Sequence, residues 1–565
     1  MAATAAEPGR RTSLPIRWTW GSAPDESLQA LARQLEAGQV PDEARLIKRG
    51  DRRAVWALPQ VGGGVLLKQF RVRGWEPWLF LVRRSRGQAE YRAAIELRQL
   101  GLETPVALGF GERRRTGLLR EAWCLTRLVP GASTVGEALS RAVESRDEAE
   151  VERLGAVAMR ATAALHRIPV LHRDLHANNL LLGRDGEALV IDLHSVRRVG
   201  RLTRGMRVAN LARLVFSMRE AVDLRRTESL LAEYARHTGD PLEELLAEVA
   251  QEVDRFERSY VEGRTGRCLV NSTLFVAEHL PEGRTYRRRD YPLERLRADL
   301  LRHEGIVRAG GPQLLGSTAR ARVTRVEDEA GARVVKQYLR AGSFPRLRHW
   351  LRLGRARTAW LASRRLDVLE VPTPRSLALL ERRDGSAIVI TRLVERAVTL
   401  RSWLEQLERD PCPEQRRQVA SAVGHVAGRL ARAGLLHDDL STKNLLLSDE
   451  PPSIPCDRRD AGGPTWPGVR LIDLDNLRSI APHDPRAIGR MLAQLGDVPA
   501  AVTRTDRLRF VRAFERAAGR PLPAEVAAAA LEGSRRRSAR RAKLARRPPA
   551  KVARVASPPV GERLR

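Results

Sequence analysis

A stretch around residue 172 recurs around residue 437, and this repeat constrains the fold more than any other feature of the chain. His172-Arg173-Asp174-Leu175-His176-Ala177-Asn178-Asn179-Leu180-Leu181-Leu182 returns as His437-Asp438-Asp439-Leu440-Ser441-Thr442-Lys443-Asn444-Leu445-Leu446-Leu447. Upstream, Leu125-Thr126-Arg127-Leu128-Val129 returns as Ile390-Thr391-Arg392-Leu393-Val394. The interval from threonine to histidine is 46 residues in both halves. Val190-Ile191-Asp192-Leu193 returns as Leu471-Ile472-Asp473-Leu474, and Leu66-Leu67-Lys68-Gln69-Phe70 as Val334-Val335-Lys336-Gln337-Tyr338. Matches in one order at similar intervals mean a duplicated domain, because the period is far longer than that of any solenoid. At 565 residues each copy has enough chain for its own core.

The two copies read alike. Short β-type runs at 54–58 and 65–70, and at 319–326 and 332–338, are split by turn residues as hairpins are. A charged stretch of helical period follows (88–100; 357–366), ended by Thr104-Pro105 or Thr373-Pro374. Strands are expected at 123–128 and 388–393, and helices at 152–166 and 414–433. The His-x-Asp segment comes next, then a strand that ends at Asp192 or Asp473. Helices fill the rest, such as 241–260, with Pro241 in the first turn. The Pro/Gly/Asp-rich insertion at 451–468 reads as a surface loop. The Arg-, Ala- and Pro-rich end beyond about Gly533 reads as disordered.

Phosphoryl transfer asks for metal ions and a cation on the phosphates, and for a carboxylate that orients the accepting hydroxyl. The first copy has a residue for each task. Asp174 is the candidate base. Asn179 and Asp192 offer oxygen ligands to Mg²⁺. Lys68, on a strand after a hairpin, can reach the α- and β-phosphates of ATP, and Glu90 on the next helix can hold Lys68 by an ion pair. The second copy offers Asp439, Asn444, Asp473 and Lys336 in the same order.

These types and spacings resemble the protein-kinase-like superfamily. Within it, Val190-Ile191-Asp192-Leu193-His194, Leu471-Ile472-Asp473-Leu474-Asp475 and the run Glu90-Tyr91-Arg92-Ala93-Ala94 up to Thr104-Pro105 are similar to the lipopolysaccharide core kinase (Kdo/WaaP) family. The resemblance covers most of 45–215 and, more loosely, 315–490. It implies an α+β fold of two tandem protein-kinase-like domains, each with a small antiparallel-sheet N-lobe and a mainly helical C-lobe. The expected division is an extension over 1–40, domains at 41–300 and 301–530, and a basic tail over 531–565. It also implies ATP- and Mg-dependent transfer to a heptose or Kdo hydroxyl of lipopolysaccharide core, at the cytoplasmic side of the inner membrane. Asp174 would then activate the hydroxyl, and His172 would brace the catalytic loop. No Ala-Pro-Glu follows Asp192, so a protein-kinase activation segment is not evident. A Ser/Thr protein kinase, an aminoglycoside-type phosphotransferase and a pseudokinase scaffold remain alternatives on the same fold.

The copies are not equal. Aligning Thr104-Pro105 on Thr373-Pro374 sets Ala359-Trp360 opposite Glu90-Tyr91, so Lys336 lacks the helix carboxylate. The second copy therefore reads as a weak kinase or a nucleotide-binding regulator. Asp438 and Asp439 would repel and raise the pKa of one of them if both faced inward. Neither copy has a Gly-x-Gly-x-x-Gly loop. The first hairpins carry Lys48-Arg49-Gly50-Asp51-Arg52-Arg53 and Gly316-Ser317-Thr318-Ala319-Arg320, whose backbone amides and arginines could cover phosphates or simply face solvent. A formal net charge of +32 suits an anionic glycolipid or a peripheral anionic membrane surface. An Arg-rich composition gives the same charge with no partner at all, and no recognised motif supports nucleic acid. Cys124, Cys268, Cys412 and Cys456 are scattered without a Cys-x-x-Cys pair, which argues against zinc and disulfides. No apolar run reaches transmembrane length and the N-terminus lacks a secretory signal, so a cytoplasmic protein is expected.

Overall fold

The computed structural model describes residues 14–545 except 51, 184, 220, 223, 340–346, 408, 410–412, 449–467, 481–483 and 497–501. Most of the insertion at 451–468, and Cys412 and Cys456, fall outside the described residues. The chain divides into two compact units, Met1–Glu257 and Arg258–Arg565.

The first unit begins with a six-stranded antiparallel sheet in the spatial order Ile16–Trp20, Ala107–Arg115, Leu118–Arg127, Val65–Arg71, Arg53–Leu58, Arg45–Arg49. Side chains alternate across a strand, so each central strand serves two layers. Val65, Leu67, Trp123 and Leu125 pack with Leu28, Leu31 and Leu35 of the helix Glu26–Glu36. Phe70, Ala122 and Cys124 pack with Tyr91 of the helix Arg86–Gln99. Lys68 shares the parity of Phe70, which turns it toward that second helix. The turn between the hairpin strands holds Gly62, Gly63 and Gly64 at φ of 50°, 74° and 96°, a left-handed run that side chains would strain. The rest of the unit is helical: Val135–Ser145, Glu148–His166, Arg204–Ser217, Leu224–Thr238 and the larger part of Leu242–Gly266. Two short ladders, Leu180–Leu182 with Ala188–Val190 and Val170–His172 with Val196–Arg198, carry the loops of the site.

The second unit repeats this plan. Its sheet has seven strands in the order Phe275–Leu280, Gly283–Arg288, Ser376–Arg382, Ala387–Arg392, Gly331–Tyr338, Ala321–Asp328, Leu314–Ser317. One face packs on Leu296 and Leu300 of the helix Leu293–Ala309, the other on Ala356 and Trp360 of the helix Leu347–Val368. Helices Leu400–Leu407, Pro413–Arg432, Pro485–Ala493, Arg504–Ala518 and Ala524–Ala545 complete it.

The expected domain boundaries move. Residues 16–36 are no extension. Ile16–Trp20 pairs with Ala107–Arg115, and the following helix fills one face of the sheet. Gly283–Arg288 and the helix Leu293–Ala309 play the same parts in the second unit, through pairing with Ser376–Arg382. Residues 258–300 therefore belong with the second half rather than the first. The disorder expected beyond Gly533 does not hold as far as Ala545, because one helix runs from Ala524 to Ala545, and the rest of that stretch lies outside the described residues. Alanine-rich sequence favours helix intrinsically. The start of the helix is anchored by the buried Val526 and by close packing of Ala529 on Gly489.

Candidate active sites

In the first unit, Lys68 lies at the middle of the sheet, opposite Cys124 on one side and Val55 on the other. It is nearly out of water, and so is Glu90 on the helix behind it. Their side chains form a direct ion pair. Burial pushes the Lys68 ammonium down, but the charges of Glu90 and Asp192 outweigh it and hold the group protonated. Burial drives the adjacent Cys124 thiol well above its usual range, so it is an inert wall of the site.

Asp192 lies two residues beyond the end of the strand Ala188–Val190, at φ 63°. That left-handed conformation turns the chain sharply, and an aspartate can adopt it where most side chains cannot. One nitrogen of Arg53 lies 3.0 Å from both carboxylate oxygens, and His194 Nδ1 lies 2.8 Å from one of them. Burial pushes the Asp192 carboxyl up. The His194 contact and the charges of Lys68, His194 and Arg53 override it and hold the carboxyl far below the ordinary range. Donor atoms of Glu90, Asp192 and His194 fall within 4.8 Å of one another. Lys68 and Glu90 are thereby joined to Asp192 in one cluster.

The catalytic-loop candidates adjoin this cluster through backbone bonds. The Asn179 amide nitrogen donates to the Asp174 carbonyl at 2.8 Å, so its oxygen is the atom available to a cation. The Ile191 N–H donates to the Asn179 carbonyl at 2.9 Å. His172 is buried, with Nε2 3.1 Å from the Ile191 carbonyl, and its Nδ1 accepts from the Asp174 N–H at 3.3 Å. It thus clips the two loops together, and burial lowers its pKa so that the ring stays neutral. Asp174 itself reaches solvent, with His176 Nε2 at 3.8 Å. The Thr104 hydroxyl donates to the Val190 carbonyl at 2.9 Å, which fastens the start of the Thr-Pro passage to the strand that presents Asp192.

The second unit keeps the frame. Asp473 has φ 62°. His437 bridges the Ile472 carbonyl and the Asp439 N–H, each at 3.2 Å. The Asn444 amide donates to the Asp439 carbonyl at 2.8 Å and to its carboxylate at 3.0 Å. The Thr373 hydroxyl donates to the Leu471 carbonyl at 2.8 Å. The lysine differs. Ala359 is buried where Glu90 stands in the first unit, and Lys336 bonds to Asp473 at 2.7 Å with Asp475 at 3.7 Å. Asp475 also meets Arg355 at 2.9 Å. Burial raises the Asp475 pKa, whereas Lys336 lowers that of Asp473 against its own burial. Asp438 does not face Asp439 but pairs with Arg478 at 2.9 Å.

Sequence reasoning placed Lys68, Glu90, Asp174, Asn179 and Asp192, which the fold brings together, and Lys336, Asp439, Asn444 and Asp473, which it gathers likewise. It gave no specific role to Arg53, Asp475 or Arg355. The basic hairpin and the Ile-Asp-Φ-Asp pattern were their only signals.

A small antiparallel sheet over a helical lobe, with a strand lysine and a loop aspartate between them, defines a kinase-type phosphotransferase fold. The chain belongs to the lipopolysaccharide kinase (Kdo/WaaP) family, whose model matches residues 52–234 and 313–514, once in each half. It is a kinase, a phosphotransferase with an alcohol group as acceptor. Among its relatives is the 3-deoxy-D-manno-octulosonic acid kinase of Xanthomonas axonopodis pv. citri. The two are 31% identical over 208 residues, which is 34% of this chain and 76% of the relative. The lipopolysaccharide core heptose(I) kinase WaaP of Pseudomonas aeruginosa is 32% identical over 177 residues, 30% of this chain and 60% of that protein. A solved structure of WaaP in complex with acyl carrier protein is 26% identical, with a TM-score of 0.31, over 42% of this chain and 91% of that one.

Proposed function

We propose that the first unit transfers the γ-phosphate of ATP to a hydroxyl of a lipopolysaccharide core sugar, heptose or Kdo. The observation that carries this reading is the buried Lys68–Glu90 pair set against an ionised Asp192 beside the Asp174 loop. Lys68, held by Glu90, binds the α- and β-phosphates as a fixed positive charge. The donor set fits a hard divalent cation: an ionised carboxylate at Asp192 and a free amide oxygen at Asn179. Magnesium bound there would neutralise charge on the β- and γ-phosphates. Asp174 orients the sugar hydroxyl and accepts its proton, and His172 fixes the loop that presents it. The relatives act on Kdo and on heptose(I), as their names state, which supports a sugar acceptor. Such a glycolipid is anionic and lies at a membrane, which suits the net charge of +32 and peripheral work at the inner membrane.

For the second unit we propose a regulatory nucleotide-binding role. Lys336 sits on the carboxylate that would hold the metal, instead of on a helix partner. Single-turnover transfer from radiolabelled ATP to lipid A-core, with Asp174→Asn and Asp439→Asn chains, tests both proposals. The expected outcome is a loss of roughly a hundredfold or more for Asp174→Asn and less than twofold for Asp439→Asn. Label appearing only on protein would sink the sugar-kinase reading. Equal losses in the two variants would sink the division of labour.

A further inference from the structure

Between the lysine strand and the glutamate helix of the first unit runs Arg71-Val72-Arg73-Gly74-Trp75-Glu76-Pro77-Trp78-Leu79-Phe80-Leu81-Val82-Arg83-Arg84-Ser85-Arg86. Its centre is a short helix, Glu76–Val82. Pro77 is buried, and Phe80 packs against the sheet cluster of Phe70 and Tyr91. The outer side is different. Trp75 is 70% exposed, Trp78 64%, Leu81 54% and Val82 88%. Four of the sixteen large apolar side chains exposed among the described residues thus fall within eight positions, including both exposed tryptophans. Single exposed apolar groups need no explanation, but a contiguous cluster of this kind marks a contact surface.

The surroundings indicate what the surface meets. Arg73, Arg83 and Arg84 flank it in the open. Glu76, the one acidic residue in the segment, is already neutralised by Arg52 at 2.5 Å. Next to the segment lies an open cavity of about 340 Å³, lined by Arg49, Gly50, Arg71 and Arg73. Its three guanidinium-bearing walls suit a phosphate ester. The apolar tips project outward, as a bilayer requires. Tryptophan and leucine tips at the headgroup boundary with arginines around them are the composition of an interfacial anchor. In sequence, the corresponding place in the second half again mixes Arg346, Arg348 and Arg352 with Phe344 and Trp350.

We infer that residues 71–86 are a membrane-docking element, which inserts Trp75, Trp78, Leu81 and Val82 at the surface of an anionic phospholipid bilayer while the flanking arginines bind lipid phosphates. The inference deepens the proposal of a membrane-resident glycolipid substrate. Its test reads binding rather than transfer, so the two can fail separately.

The test is flotation of the full chain with vesicles of phosphatidylethanolamine and phosphatidylglycerol, against phosphatidylcholine alone. Binding to the anionic vesicles is expected, weakening as salt rises. The W75A/W78A double variant should lower the bound fraction about tenfold or more, with an unchanged thermal midpoint. R83E/R84E should remove the preference for anionic lipid. Deletion of 546–565 should leave binding in place. Brominated lipids should quench part of the tryptophan fluorescence of the unmodified chain, and less of it once Trp75 is replaced by phenylalanine; this readout needs no disruptive variant. Binding that survives W75A/W78A overturns the proposal, and if it disappears with the tail, the tail is the anchor. Failure to bind vesicles of either composition overturns it.

Discussion

An ammonium group as deeply buried as that of Lys68 is stable only beside a counter-charge, and Glu90 supplies it from the neighbouring helix. Glu90→Gln keeps the shape and removes the charge. It should lower the unfolding free energy by about 3 kcal/mol, read from urea denaturation, and reduce transfer from ATP about a hundredfold, because Lys68 is no longer held in place by its ion pair. A second residue-scale effect lies away from the phosphates. His166 is buried against the Tyr234 hydroxyl at 2.9 Å and the Asn210 amide oxygen at 3.3 Å, and burial lowers its pKa to about 4. The unfolded chain therefore takes up the proton first. The stabilisation is complete above pH 6.5 and is lost as the pH falls toward about 4, by about 3 kcal/mol in all. Unfolding measured across that range should show this slope, and His166→Gln should flatten it. The lysines and the aspartates Asp192 and Asp473 were legible in the sequence because each stands at a fixed interval within a repeated order, and Glu90 because it follows Lys68 on the next helix. Arg53 was not. It is one of 100 Lys and Arg residues, and only folding brings the hairpin over Asp192. The direction of Asp438 was equally hidden, since its partner Arg478 is remote in sequence.

The glutamate helix is positioned by a residue with no side chain. A Cβ on Gly87 would lie 2.5 Å from the Trp123 carbonyl oxygen on the central strand, so only glycine lets the helix approach this closely. Gly87→Ala should push the helix outward, weaken the Lys68–Glu90 pair and raise the KM for ATP several-fold, with about 2 kcal/mol lost from stability. An unchanged KM would show that the helix position is set elsewhere. In the ungapped alignment the second half carries Ala356 at the same place, buried, where the helix has no glutamate to deliver. Helix and strand periods exposed the hairpins and the central helices to sequence reasoning. They did not expose Ile16–Trp20 or Glu26–Glu36, because a five-residue strand and an eleven-residue helix without a motif acquire meaning only through their partners in the sheet. The helix Ala524–Ala545 was missed for another reason. Its composition resembles that of a disordered tail, and packing near its start decides otherwise.

At the scale of the whole chain, the repeat revealed two domains, but the motifs lie inside each copy and say nothing about its edges. Sheet pairing sets those edges. A second half cut at residue 301 would lose Gly283–Arg288, leave Ser376–Arg382 as a bare edge strand and remove Phe275 and Tyr286 from the core. That fragment should aggregate on expression. A fragment beginning at Arg258 should be soluble and unfold cooperatively, as circular dichroism and gel filtration would show. Solubility of both would mean that the hairpin is dispensable.

The left-handed turn at Asp192 and Asp473 has a further consequence for the history of the duplicated gene. Glycine or asparagine would fit that turn with no more strain than aspartate, so either unit could be disarmed by one substitution without ceasing to fold. The backbone therefore sets no bar to such a change, and its cost lies in the side chain, whose carboxylate is the counter-charge of Arg53 in the first half and of Lys336 in the second. Aspartate stands in both halves, although the second has Ala359 where the first has Glu90. In the second half the negative charge of Asp473 takes over the pairing with the strand lysine that Glu90 performs in the first.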